Sequence, residues 1–571
     1  MKRIQYSPRT LLANLDSRIQ LAIIGVIVGI LGGFAALGLN FSLDKLQILL
    51  APYKKDFLIV LLPVAGILLT ALFLRYVIKD AEGHGVPEVI YSVSMRGGFI
   101  KLRSSISRLI GSLLTLSAGG SAGPEAPVAI SGAAIGSNIA TWFQTNDRIR
   151  IAATGSGAAA AIASIFNAPI TGFIFSMEVI LGEWSAVNML PVALASVTGT
   201  VISRLFNGNQ IPFVHQKIEV GLNDIAASLF FALVAACIAI LFIKTMRLSQ
   251  KRLQKILRPV YLRALCGGLA VGVIINFFPQ VKGQGYGVIR SLLGGSVSIG
   301  LAMLFVLIIF KVLATSLTLN SGGAGGVFAP SLVIGCFTGY FFYQLLIFIF
   351  PKASFSGLEM FALCGMAAML SGTLHSPLTG VFLIVEITGG YDVILPLLIA
   401  SFLTLTIVKL VEKNSVYFHE LVEEGLLRRP RTDARILTDI GTKELLEKEL
   451  IPVKPESVLK ELIPIIIRSR RNIFPVIETR TGTYLGILDW NDIKSYIFDK
   501  DLSQSIIVEE VMHHDLPTVS ISDTMIEILN KMEASQAWSL PVVENNKFVG
   551  LVSKSTILDH YRKELKAQTE E

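Results

Sequence analysis

Residues 312–351 contain no aspartate, glutamate, lysine or arginine, and a run that long of mostly apolar side chains excludes an ordinary water-soluble fold. Residues 19–43, 57–74 and 225–243 are equally clean. Each run holds a span of roughly 20 apolar residues, the thickness of a bilayer's hydrocarbon core. One such run would be an anchor, whereas several predict a polytopic helical bundle. Composition agrees, with 52% hydrophobic and 16% charged residues and a mean hydropathy of +0.63.

The net charge of +8 is placed for a membrane and not for nucleic acid. Lys244, Arg247, Lys251, Arg252, Lys255, Arg258 and Arg263 crowd into one connection between apolar segments, which the positive-inside rule makes cytoplasmic. Lys2, Arg3 and Arg9 place the N-terminus on the same side, and nothing there reads as a cleaved signal peptide. The expected location is the cell membrane, with both termini cytoplasmic. Cys237, Cys266, Cys336 and Cys364 are scattered through apolar segments without metal-ligand spacing, so they read as core or lipid-facing residues.

Near residue 412 the composition turns abruptly to that of a soluble protein. The expected organisation is a membrane domain at 1–420, a linker at 421–433 that includes RRPRT, and a cytosolic domain beyond it. Both domains are internally repeated. GGSAGPEAP at 119–127 recurs as GGAGGVFAP at 322–330, an offset of 330 − 127 = 203. NAPITGFIFSMEV at 167–179 recurs as HSPLTGVFLIVEI at 375–387, an offset of 377 − 169 = 208 that pairs Glu178 with Glu386. Two matched pairs in one order divide the membrane domain into halves at about 20–215 and 220–412, an architecture recurrent in transporters. In the tail, FPVIETRTGTYLGILDWNDI at 474–493 resembles LPVVENNKFVGLVSKSTIL at 540–558. Each reads as strand, turn, strand and helix start, giving two α/β modules at 434–500 and 505–565.

Between Leu109 and Asn146 the only formally charged residue is Glu125, inside a Gly/Pro-rich break. Such a break at membrane depth must be buried in protein or line a cavity. A helix restarting near Glu125 or Ala126 exposes unpaired N–H groups and about half a positive charge, which suits an anion. GHGVPE at 83–88 and GGVFAP at 325–330 have the same texture. Three breaks converging would hold an anion without a buried basic side chain, weakly enough to release it. An ionised Glu125 would occupy that place itself, and its protonation would release it, making it gate and proton acceptor together. Glu178 and Glu386, each nine residues after a proline, read instead as a shared architectural hydrogen bond to backbone, and His375 as packing. Tyr417, where the last apolar segment meets the soluble domain, reads alone as an interfacial tyrosine.

These residues resemble the CLC family of chloride channels and chloride/proton antiporters, over residues 20–420, with the paired CBS domains that many members append. GPEAP resembles the family's Gly-(Arg/Lys)-Glu-Gly-Pro motif, with Glu125 at the gating glutamate between Gly123 and Ala126. GGVFAP resembles Gly-x-Phe-x-Pro, with Val327 and Phe328 lending backbone N–H groups to the central anion. GHGVPE resembles Gly-Ser-Gly-Ile-Pro, which places His84 and Gly85 at that anion, and Tyr417 matches the tyrosine closing the inner end of the pathway. The resemblance implies a CLC-type inverted-topology repeat of α-helices, a homodimer with one pathway per subunit, and no required cofactor or metal. In the tail it implies an adenine nucleotide as candidate ligand, with Asp492 at the ribose-binding aspartate and Thr556 at the equivalent position of the second module.

Three departures bear on function. The family's central serine is His84, a larger and titratable donor, which leaves the choice among chloride, nitrate, bromide and fluoride open. The basic residue before the gating glutamate is Pro124. The inner glutamate of antiporters, which follows the position of Glu178, is Val179, and a valine relays no proton. The expectation is therefore channel-like or weakly proton-coupled anion transport gated by Glu125, with a strictly coupled chloride/proton antiporter as the alternative. A CBS-regulated cation transporter is a more distant rival, since cation pathways use several intramembrane carboxylates or rows of carbonyls. An enzyme is not expected, because no nucleophile, metal cluster or phosphate loop accompanies Glu125.

Overall fold

A computed structural model of the chain describes residues 16–53, 58–78, 85–209, 211–213, 217–423, 441–469 and 471–569. His84, the basic N-terminal residues Lys2, Arg3 and Arg9, and the RRPRT stretch lie outside the described residues. The chain divides into two compact units, Met1–Leu427 and Arg428–Glu571. Among the described residues nine helices are long and apolar enough to cross a membrane.

The first unit is two copies of one helical sequence. Helices α1 (Ser17–Leu50), α2 (Leu58–Leu72), α3 (Val86–Met95), α4 (Leu102–Ser117), α5 (Glu125–Trp142), α6 (Asp147–Phe166), α7 (Pro169–Phe175, prolonged by a π turn over Ser176–Ile180) and α8 (Ala186–Asn207) form the first half. Helices α9 (Leu222–Ile256), α10 (Val260–Phe277), α11 (Tyr286–Leu293), α12 (Leu301–Asn320), α13 (Phe328–Ile349), α14 (Leu358–Leu374), α15 (Pro377–Thr388) and α16 (Ile394–Val411) repeat it, and α17 (Val416–Glu423) closes the unit. The repeat is legible in the caps. Asn167 ends α6 and His375 ends α14, both left-handed, at φ 57° and φ 58°. Both are followed two residues later by the proline that opens the next helix. A polar residue that tolerates this conformation is what the helix end demands.

Small residues let the central helices touch backbone to backbone. Gly132 of α5 faces Gly157 of α6, and Gly335 of α13 faces Gly365 of α14, so a Cβ at any of the four would overlap the opposite main chain. Close approach through glycine is the usual route to tight helix pairs where lipid supplies no hydrophobic drive. The centre of α6 is fully enclosed, Ala158 through Ala163 having no exposed surface.

The halves are joined by reciprocal bonds, as an inverted twofold requires. Gly123 and Gly326 exchange N–H···O bonds of 2.8 Å in an antiparallel bridge. The Ala324 N–H donates to Thr115 Oγ1 (3.0 Å), and the Ser121 N–H donates to Thr318 Oγ1 (3.1 Å). Glu178 accepts from the Leu378 and Thr379 N–H groups, and Glu386 accepts from those of Ile170 and Thr171. The architectural reading of the two glutamates therefore holds, and the backbone each one serves belongs to the other half. Cys336 and Cys364 are buried while Cys237 and Cys266 are exposed on the surface of the unit.

The second unit contains two antiparallel hairpins, β1 (Ile473–Ile477) with β2 (Tyr484–Asp489) and β3 (Ser539–Glu544) with β4 (Lys547–Ser553). Helices α18 (Leu459–Arg468) and α19 (Trp490–Ile497) belong to the first, α20 (Met525–Ala534) and α21 (Lys554–Thr569) to the second. The module boundaries expected at 434–500 and 505–565 are crossed by exchanged segments. Glu447 bridges Leu551 of β4, and Leu445 packs in the second module's core. His513 bridges Ile487 of β2, while Val508 and Met512 pack in the first module's core. Each hairpin thus takes an edge partner from the segment preceding the other module, which covers an edge strand that would otherwise stay open.

Candidate anion site

The backbone builds this site and the side chains finish it. α5 starts at Glu125 and α13 starts at Phe328, and the Gly123–Gly326 bridge holds the two starts antiparallel. Space is tight at both bridge positions, against a movable carboxylate at Gly123 and against the main helix body at Gly326. A Cβ on Gly123 would overlap the Glu125 carboxylate and lie 3.0 Å from Ala329 Cβ, and a Cβ on Gly326 would lie 2.7 Å from Ala126 Cβ. The third break arrives at the same point. Gly85, at φ +84°, precedes α3, and a Cβ on it would lie 3.1 Å from the Ala126 carbonyl oxygen. Gly85, Gly123, Glu125, Ala126, Val327 and Phe328 are therefore brought together at one point.

The Glu125 side chain is 1% exposed. Its carboxylate lies folded over Gly123 and beside the first turn of α13, where the partial positive charge of a helix start favours an anion. The Tyr286 hydroxyl donates a hydrogen bond to its Oε1. Phe328 is 1% exposed and packs against Phe166 and Phe175, with ring centroids 5.4 and 6.1 Å apart. Tyr417 is 2% exposed on α17, which packs against α3, so it is a core residue and not a belt residue. Val179 is buried in the π turn that also packs against α3.

Two residues that sequence reasoning passed over complete the surroundings. Tyr286 opens α11, and Lys311 in the middle of α12 has no exposed surface. Both had a signal. Gly283-Gln284-Gly285-Tyr286 repeats Gly83-His84-Gly85-Val86 at an offset of 283 − 83 = 200, and Gly285 sits at φ +86° beside the +84° of Gly85. Lys311 is the only formal charge between Arg290 and Lys352. It repeats the buried Arg108 at an offset of 311 − 108 = 203, Arg108 lying 3.8 Å from Glu88.

In the second unit Asp492 and Thr556 both fall at the third residue of the helix after a hairpin, α19 and α21. Asp492 Oδ2 is 2.7 Å from His513 Nε2. The Thr556 hydroxyl is engaged by Glu447 and by Ser553 Oγ. Among the described residues no cluster of His, Cys, Asp and Glu has the makings of a metal site.

The fold and this site define a membrane protein of the anion-transporting kind, and comparison with known proteins agrees. The family model for voltage gated chloride channels matches residues 66–409, and that for the CBS domain matches residues 442–499 and 508–563. The chain belongs to the voltage gated chloride channel family, a family of transporters and channels rather than enzymes, and carries a CBS pair. It is 28% identical over 72% of its length to a putative chloride channel protein, ClcB-like, of Ralstonia nicotianae, covering 99% of that protein. It is 26% identical over 72% of its length to the H(+)/Cl(-) exchange transporter ClcA of Vibrio campbellii, covering 90% of it. The fold matches the crystal structure of a eukaryotic CLC transporter with a TM-score of 0.65 at 20% identity, covering 96% of this chain and 99% of the other.

Proposed function

We propose that this protein exchanges chloride, or a similar small inorganic anion, for protons across a membrane. The observation that carries the reading is the placement of Glu125. A buried carboxylate rests between two opposed helix starts, where a permeant anion would itself be stabilised. An anion can take that place only if the carboxylate leaves, and a proton is what lets it leave. Relatives described as H(+)/Cl(-) exchange transporters support this alternative over the channel-like transport that the sequence favoured.

Val179 is the observation that favours the second, channel-like reading, because the inner end lacks its usual carboxylate. In the exchanger reading the proton reaches the cytoplasm through His84 or through water. We read the chain as a homodimer in the cell membrane with cytoplasmic termini, and its CBS pair as a regulatory module with an adenine nucleotide as candidate ligand.

Proteoliposomes holding the purified chain test the central claim, with chloride and proton movement recorded together for the parent and Glu125→Gln. Proton uptake in fixed proportion to chloride efflux, lost in the variant while chloride still moves, is expected. Chloride efflux without proton uptake in the parent would leave the channel-like reading in its place. No flux of chloride, nitrate or fluoride in either protein would overturn both.

A further inference from the structure

We propose that Tyr286 is a latch on the Glu125 gate: its hydroxyl holds the carboxylate between the helix starts and so sets how readily an anion displaces it. The proposal rests on the reading of Glu125 as the group an anion must displace. Three observations carry it. First, the Tyr286 hydroxyl donates to Glu125 Oε1 across 161 residues of chain, and among the described residues no other side chain is hydrogen-bonded to that carboxylate. Second, the loop that delivers Tyr286 is pinned from two sides. Lys311 Nζ, wholly buried, donates to the carbonyls of Val281 (2.9 Å) and Gly283 (2.8 Å), and the Gly283 N–H donates to the Gly119 carbonyl (3.2 Å). The ring itself is wedged edge-on against Phe166 and Phe213, with centroids 6.4 and 6.0 Å away. A hydroxyl aimed by this much fixed structure is a positioned donor.

Third, the contact breaks the repeat. The position equivalent to Tyr286 in the first half is Val86, which has no hydroxyl. The bonds of Gly123 with Gly326, of Thr115 and Thr318 with the opposite half, and of Glu178 and Glu386 come in twofold pairs, whereas among the described residues the Tyr286 bond has no counterpart.

Tyr286→Phe removes the hydroxyl and keeps the ring between Phe166 and Phe213. A hydrogen bond to a charged group is worth roughly a factor of ten or more in occupancy. Chloride binding to the purified full chain, followed by isothermal titration, is expected to tighten roughly tenfold in Tyr286→Phe, because the carboxylate then competes less well. In a Glu125→Ala background the same substitution is expected to change nothing. Unchanged affinity in Tyr286→Phe, with tighter binding in Glu125→Ala, would overturn the latch and leave the gate standing. Equal tightening in both backgrounds would also overturn it, since Tyr286 would then act on the anion directly. If Glu125→Ala left chloride binding as in the parent, the gate reading would fall and the latch with it.

Discussion

Glu178 and Glu386 cap each other's repeats. Glu178 Oε2 accepts from the Thr379 N–H at 2.8 Å and from its hydroxyl at 2.7 Å, and Glu386 Oε2 accepts from the Thr171 N–H at 2.7 Å and its hydroxyl at 2.6 Å. Each carboxylate thereby satisfies the unpaired N–H groups at the start of a short helix that belongs to the other half. The swap makes the two glutamates a clasp between the halves.

Replacing Glu178 or Glu386 with alanine is therefore expected to destabilise the membrane unit by about 2–3 kcal/mol, the cost of leaving buried helix-start donors unpaired. Thermal unfolding of the solubilised chain measures it. The proton-to-anion ratio of whatever protein remains folded should be unchanged, which separates this clasp from the transport site.

Gly326→Ala should disable the site through backbone geometry alone. Its Cβ would press on Ala126 Cβ, 2.7 Å away, and push apart the two helix starts that the Gly123 bridge holds together. Overpacking of this kind costs about 1–3 kcal/mol. Anion flux is expected to fall by roughly tenfold or more, since a displacement of about 1 Å is enough to spoil a positioned site.

Lys311→Met is isosteric enough to fill the space but leaves the Val281 and Gly283 carbonyls without their donor. A loss of about 1–3 kcal/mol is expected from the stranded acceptors, read as a lower unfolding temperature. Chloride affinity should move in the direction of Tyr286→Phe, because the loop that aims the tyrosine is released.

The second CBS module should lose stability in acid. Asp523 is held below its ordinary value of 3.8 by the hydrogen bond from Lys531, 2.8 Å away, and Glu527 below 4.5 by the backbone N–H of Thr524. A carboxylate whose folded value is depressed contributes stability above its unfolded value, and that contribution drains away as pH falls through the folded one. Unfolding of the full chain followed from pH 6 downward should show the loss starting near 4.5 and continuing below 3.8. Asp523→Asn should remove the lower part of it.

Asp492→Ala tests the regulatory reading of the tail. If an adenine nucleotide binds there, titration of the purified chain with ATP should give saturable binding that weakens roughly tenfold in the variant. His513→Ala, which frees the Asp492 carboxylate from its 2.7 Å partner, should strengthen it. Equal binding in all three proteins would remove Asp492 from the site.

What the sequence determined by itself was everything with a local cause. Hydropathy marked the spans because a bilayer accepts only residues that need no water. Glycine and proline marked the breaks at 83–88, 119–127 and 322–330 because they interrupt helices wherever they occur. The recurrence at offsets near 203 marked the twofold, since a duplicated chain repeats its punctuation. The tertiary structure alone decided which side chains meet. Nothing near Glu125 in the chain points to Tyr286, 161 residues away, because the contact arises only when two halves of opposite orientation bring their breaks to one point. Lys311 stood out as a lone charge, yet its partners are two carbonyls of a loop some thirty residues back, which no side-chain pattern records. Glu178 and Glu386 were legible as a pair, but that each serves the other's half, like the exchange of segments between the CBS modules, follows from how the repeats fold against one another. Local chemistry sets where a helix starts and stops, and only the packing of one repeat on the other sets what its ends are used for.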